Sequence, residues 1–122
     1  MLLNPLSEDN GKLLENAVYL HLRRNLQIQE GLHYYKGKKE CDFVITNHEE
    51  VNQLIQVTYT LHDEDTRQRE IDGLLEAAQT TGRELFILTL EEEEEINVSE
   101  YTIHVLPVWK WMLKTLYLSP KQ

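Results

Sequence analysis

The stretch Lys38–Thr60, KKECDFVITNHEEVNQLIQVTYT, decides the fold. It contains two apolar runs separated by a polar turn. Cys41 to Thr46 reads as one strand and Val51 or Asn52 to Tyr59 as the next, with TNHEE between them as hairpin-turn chemistry. Two acids, Glu40 and Asp42, open the first run. The second carries Gln56 and ends in the hydroxyls of Thr58, Tyr59 and Thr60. Side chains alternate across a strand, so Glu40 and Asp42 are expected on one face, and Gln56 on the face of Leu54 and Thr58. With the turn near His48, Asp42 and Gln56 stand almost level, and their oxygens are expected to meet. By spacing alone the plainer explanation comes first: a buried polar pair satisfied by main-chain groups.

Outward from the hairpin, Leu32 to Lys36 reads as a preceding strand closed by a turn at Gly37, which makes a three-stranded antiparallel meander. On the other side, Asp63, Glu64 and Asp65 load the first turn of a helix with negative charge, favourable at the positive end of the helix dipole. That helix is expected to run to about Thr81, burying Ile71, Leu74, Leu75 and Ala78, with Gly82 as its stop. Glu84 to Leu90, ELFILTL, is apolar almost throughout, as a strand covered on both faces requires. A helix between two such strands implies a right-handed crossover and a parallel pair. Glu91 to Glu95 read as a solvated loop, Tyr101 to Val105 as a fifth strand, and Pro107 as the first turn of a last helix, PVWKWMLKTLYL. At the other end, Leu13, Leu14, Ala17, Val18 and Leu22 form an apolar stripe from Gly11 to about Asn25, with Glu15 at its edge and residues 1–9 as a polar entry. The expected fold class is α/β: one domain over residues 1–122, a mixed sheet with an antiparallel N-terminal meander, a parallel crossover and helices on its faces.

Composition narrows the function. The chain has 122 residues, 41% hydrophobic and 27% charged, the balance of a soluble globular domain. Net charge is −9, which argues against a nucleic-acid binder. Much of that excess is the five-acid run, whereas Arg23, Arg24, Lys36, Lys38 and Lys39 lie close together and allow a local basic face. One cysteine excludes an internal disulfide, and the five histidines lack paired zinc spacing. Cys41 alternates with Glu40 and Asp42, so it is expected in the core. The start shows no basic n-region or long apolar segment, so a cytoplasmic setting is expected. The glycines are isolated, so no phosphate-cradling loop is formed. Trp109 and Trp111 lie two apart on a helix, so one is expected in the core and the other at the surface, free to meet a partner.

The order of a helix with Glu15, a strand with Asp42 and a strand with Gln56-x-Thr58 resembles the PD-(D/E)XK nuclease superfamily, with its restriction-endonuclease-like three-layer core. More narrowly, GKLLENAVYLHLRR, YYKGKKECDFVI, LIQVTY, TRQREIDGLLEA, ELFILTL and VLPVWKWML look like the C-terminal nuclease-like domain, of unknown function, attached to many archaeal and bacterial AAA-type ATPases. The resemblance implies a Mg²⁺ or Mn²⁺ site made by Asp42, Gln56, the carbonyl of Val57 and Glu15. It places Thr58 where the superfamily has its lysine. Threonine lacks the positive charge that stabilises the phosphate transition state. The resemblance therefore implies a nuclease-like accessory domain with a degenerate metal site, binding nucleic acid or an ATPase partner. An active Mg²⁺-dependent DNA endonuclease and a protein-interaction module for an ATPase are the alternatives. Lys12, Lys36, Lys38, Arg67 and Arg69 are the bases available to replace the missing lysine. A basic groove beside Asp42 would favour nucleic acid; an acidic one with an exposed tryptophan would favour protein contact.

Overall fold

The computed structural model describes residues 5–79 and 83–118. Three helices and six strands follow in the order α1 (Pro5–Asn25), β1 (Glu30–Lys36), β2 (Glu40–Asn47), β3 (Glu50–Val57), α2 (Glu64–Ala78), β4 (Glu84–Thr89), β5 (Glu94–Val98), β6 (Tyr101–Pro107) and α3 (Val108–Leu118). The strands make one mixed sheet, ordered β1-β2-β3-β4-β6-β5. β1, β2 and β3 form the antiparallel meander; β3–β4 and β4–β6 are parallel; β5 pairs antiparallel with β6 at the edge. The α/β architecture expected from the sequence is therefore present. Among the described residues no helix is long and apolar enough to cross a membrane.

Alternation splits the core into two layers. Leu54, Leu85, Ile87, Ile103 and Val105 point to one face of the sheet and pack with Ile71, Leu74, Ala77 and Ala78 of α2. Ile55, Val57, Leu88 and Leu106 point to the other and pack with Val18 and Leu22 of α1 and Val108 and Trp111 of α3. The central strands are covered on both sides, which explains their near-continuous apolar sequence. The β2–β3 turn puts His48 and Glu49 at φ 53° and 70°. Two consecutive positive values match the right-handed strand twist that a two-residue hairpin must follow.

Several boundaries differ from the sequence expectation. α1 starts at Pro5 rather than Gly11, so part of the polar entry is helical. Proline suits a first turn because its missing N–H would have no helical partner there. β3 ends at Val57 rather than Tyr59. α2 begins after Asp63, whose carboxylate accepts from Thr66 N at 2.9 Å, and ends at Ala78 with Gln79 in a positive-φ conformation. The expected stop, Gly82, lies outside the described residues.

The acidic run is the largest correction. Its last two residues open a strand that the sequence reading left out, β5, in which only Ile96 is buried. Acids on a sheet edge discourage pairing with another chain. Three side chains of the run, those of Glu92, Glu93 and Glu94, are tied down. Glu92 accepts from Leu61 N at 2.7 Å and from the Thr60 hydroxyl. Glu94 takes both arms of the Arg67 guanidinium at 2.8 Å, and Glu93 meets Lys110 at 2.6 Å.

Candidate functional site

The polar residues of the hairpin lie where β2 leaves β3. Regular pairing ends at Phe43 and Ile55. Cys41 and Val44 both pack toward α2, whereas Phe43 and Ile45 pack toward α1 and α3. Strict alternation cannot put residues 41 and 44 on one side, so the strand is irregular at Asp42. Side chains replace the missing ladder there. Gln56, 1% exposed, accepts from Asp42 N through Oε1 at 2.9 Å. Its Nε2 donates to the Glu40 carbonyl at 2.8 Å and to the Glu70 carbonyl of α2 at 3.2 Å. The Asp42 carboxylate in turn accepts from Val57 N at 2.8 Å.

The structure thus brings Asp42, Gln56 and Val57 together, in an arrangement other than two side-chain oxygens converging on one point. The Gln56 oxygen is turned onto main chain, and its amide links β2, β3 and α2. Thr58 is half-buried, and its hydroxyl donates to the Thr60 carbonyl at 3.3 Å. Glu15, half-buried on α1, lies close enough for its negative charge to act on Asp42 and on Glu70. Cys41 is fully buried, and burial together with the Asp42 charge pushes its thiol up to about 12. It therefore carries no thiolate for nucleophilic work.

Glu70 was not among the residues singled out from the sequence. A signal was there: Glu70, Gly73, Leu74 and Ala77 are spaced as one stripe of α2, so a carboxylate sits on the buried face. Burial comes first among the causes that raise Asp42 to about 6 and Glu70 to about 8. The main-chain N–H of Val57 opposes the rise at Asp42. The charges of Glu15 and Glu40 add to it at both groups, and Asp42 raises Glu70 directly. Arg69 is the cation that moderates both. Of the other candidate bases, Arg67 is committed to Glu94 and Lys38 stands beside Glu76. The cluster is acidic, with one guanidinium beside it.

Raised carboxyl pKa values carry a definite sign. Glu70 binds its proton more tightly folded than unfolded, so the folded state is fully favoured below its ordinary value of 4.5. That advantage is lost as pH rises through about 8. Asp42 acts the same way up to about 6. Glu70→Gln removes the buried ionisation. The variant is expected to match the parent near pH 5 and to exceed it by about 2 kcal/mol above pH 8. Urea unfolding at the two pH values checks this; an equal pH slope in both proteins would contradict it.

The resemblance implies a divalent ion, and the donor set can be tested against one. Mg²⁺ and Mn²⁺ require oxygen ligands in a compact shell. The only side-chain oxygen of Gln56 already accepts a main-chain N–H, and one Asp42 oxygen does the same. Among the described residues no group of three or more His, Cys, Asp or Glu side chains is placed to hold a metal ion. As arranged, Asp42 keeps one uncommitted carboxylate oxygen for an ion, and the Gln56 oxygen is already engaged with the main chain, a thin donor set for either metal.

A family profile described as "Domain of unknown function (DUF4143)" matches residues 10–111. The uncharacterized protein MJ1544 of Methanocaldococcus jannaschii is 39% identical over 116 residues. The match covers 88% of this chain and 26% of that relative, so the chain spans about a quarter of the relative's length. No solved structure matches the chain.

Proposed function

The chain belongs to the DUF4143 family, a domain of unknown function, and we propose that it is a nuclease-like accessory domain with a degenerate divalent-metal site. The fold order and the residues at Glu15, Asp42, Gln56 and Thr58 support descent from the PD-(D/E)XK kind of nuclease. One observation carries the proposed loss of cutting: the Gln56 carboxamide is spent on the main chain of Glu40, Asp42 and Glu70. A side chain so used ties β2, β3 and α2 together, with its one oxygen already turned onto the main chain. Thr58 adds no charge where phosphodiester hydrolysis needs one.

Between nucleic acid and a protein as the partner, charge favours protein. Phosphates approaching Asp42 meet Glu15, Glu40 and Glu70 and one compensating arginine, an unfavourable field for a polyanion. Trp109 is 59% exposed on α3, an amphipathic ring of the kind enriched where proteins meet. The partner in this proposal is an AAA-type ATPase domain, and the greater length of the archaeal relative leaves room for one in the same chain.

Incubation of supercoiled and branched DNA with Mg²⁺ or Mn²⁺ tests the reading. The expected result is no nicking above background, with parent and Asp42→Ala alike. Metal-dependent cutting that Asp42→Ala abolishes would replace this reading with that of a working endonuclease.

A further inference from the structure

The two edges of the sheet are unlike. β5, at one edge, opens with Glu94 and Glu95, and acids there discourage pairing with another chain. β1, at the other edge, carries no acid, lysine or proline along its middle, Leu32 to Tyr35. β1 is also regular. Its register with β2 shifts between His33 and Tyr35, but the added residue belongs to β2, where Asp42 and Phe43 together stand opposite Tyr34. Leu32 accordingly packs toward α1 and α3 and Tyr35 toward α2, as unbroken alternation requires.

Main-chain direction follows the same alternation. Just before β1, the Gln29 carbonyl accepts from His48 N at 3.0 Å; just after it, Gly37 N donates to the Lys39 carbonyl at 2.9 Å. Odd-numbered residues therefore turn their N–H and C=O groups inward to β2, and Glu30, Leu32, Tyr34 and Lys36 turn theirs out from the sheet. Of these groups the Glu30 N–H is used locally, by the Gln27 carbonyl at 3.0 Å. Tyr34 is 55% exposed, and His33 and Lys36 are exposed beside it.

We infer that β1 is the pairing edge for a second copy of this chain, the two β1 strands lying antiparallel about a two-fold axis at His33. Such an axis lets one surface serve both partners. The order EGLHYYK fits it from end to end. Leu32 stands opposite the partner's Tyr34, each offering outward N–H and C=O groups to the other, with the two side chains on one face. Glu30 stands opposite the partner's Lys36, so opposite charges meet at both ends of the pair. The same axis carries the β1–β2 turn, with Lys38 and Lys39, toward the partner's β2–β3 turn, with its acids at the matching positions of Glu49 and Glu50. A parallel pairing in register would set Glu30 against its own copy. This charge match selects a second copy of the chain over an unrelated strand. The inference does not rest on the reading of Asp42 and Gln56 as a former metal site.

Sedimentation equilibrium and ¹⁵N NMR of the chain test it across a concentration series. One strand pair is a small interface, so a weak dimer is expected, with a dissociation constant on the order of 0.1 mM and concentration-dependent shifts at the Leu32, Tyr34 and Lys36 amides. Tyr34→Pro removes an outward N–H, which an edge strand tolerates, and is expected to give a folded monomer. Glu30→Lys and Lys36→Glu are each expected to weaken the dimer roughly tenfold, because like charges then face each other across the axis. Mixed in equal amounts, these two variants are expected to pair again, since every lysine of one chain meets a glutamate of the other. A chain that stays monomeric at about 1 mM would overturn the inference and leave the edge to a strand of another protein. Association that proceeds beyond the dimer would also overturn it, as would a dimer indifferent to Tyr34→Pro or two charge variants that do not recover on mixing.

Discussion

Gln56→Leu is expected to remove about 3 kcal/mol of stability, a large share of what a domain of this size possesses. Leucine fills similar volume, so the loss comes from hydrogen bonding. Three main-chain groups, Asp42 N–H and the carbonyls of Glu40 and Glu70, lose their partner inside the protein. Each unpaired buried group costs on the order of 1–3 kcal/mol, and water reaching the splayed end of β2 offsets part of the sum. Gln56→Glu separates hydrogen bonding from shape. The carboxylate keeps an acceptor for Asp42 N–H but turns a negative oxygen on two carbonyls, close to Asp42 and Glu70. It is expected to match the leucine variant in cost at neutral pH and to recover on acidification, when protonation restores one donor. Chemical unfolding near pH 5 and pH 7 reads both effects. Losses below about 1 kcal/mol in both variants would show that the amide does not hold β2 to α2.

The second large effect is at Gly73, where α2 packs tightly on the main chain of β2. A Cβ added there falls well inside contact distance of the Glu40 carbonyl oxygen and 2.5 Å from Gln56 Nε2. The obstacle is mainly backbone, which cannot rotate out of the way as a flexible side-chain end can. In an exposed helix Gly→Ala would gain about 1 kcal/mol from propensity. Here α2 must lift away from β2, disturbing the bonds of Gln56 with both. Gly73→Ala is therefore expected to destabilise by about 2–4 kcal/mol net and to broaden the NMR signals of Asp42 and Gln56. A neutral or stabilising effect on the thermal midpoint would contradict this close approach.

Much of the fold was legible because burial writes a period into the sequence. The two runs of the hairpin, the stripe of α2 and the apolar ELFILTL each have one good solution, and the helix between parallel strands fixes the crossover. What escaped lacked that period. In β5 a single buried residue, Ile96, directly follows five acids, so the edge strand reads as a loop until its partner β6 is in view. The first turns of α1 escaped because SEDNG reads as a cap rather than as helix interior.

The site was legible in position more than in wiring. Spacing sets Asp42 and Gln56 nearly level, and in the structure Asp42 N donates to the Gln56 side chain. Which atoms an amide seeks depends on where β2 departs from β3, and no period records that. The part of α2 became clear only from the sheet contact at Gly73, which brings the Glu70 main chain to Gln56. Position alone also left open which base stands near the acids: Arg69 does, while its neighbour Arg67 faces the edge strand.

The most direct measurement follows the side-chain carboxyl carbons of Asp42 and Glu70 by NMR across pH, without and with excess Mg²⁺. A carboxylate cluster held by the Gln56 amide and crowded with like charge predicts midpoints near 6 and 8, unchanged by the ion. A fall of either midpoint by a unit or more when Mg²⁺ is present would show a cation seated among these carboxylates, and with it a working metal centre.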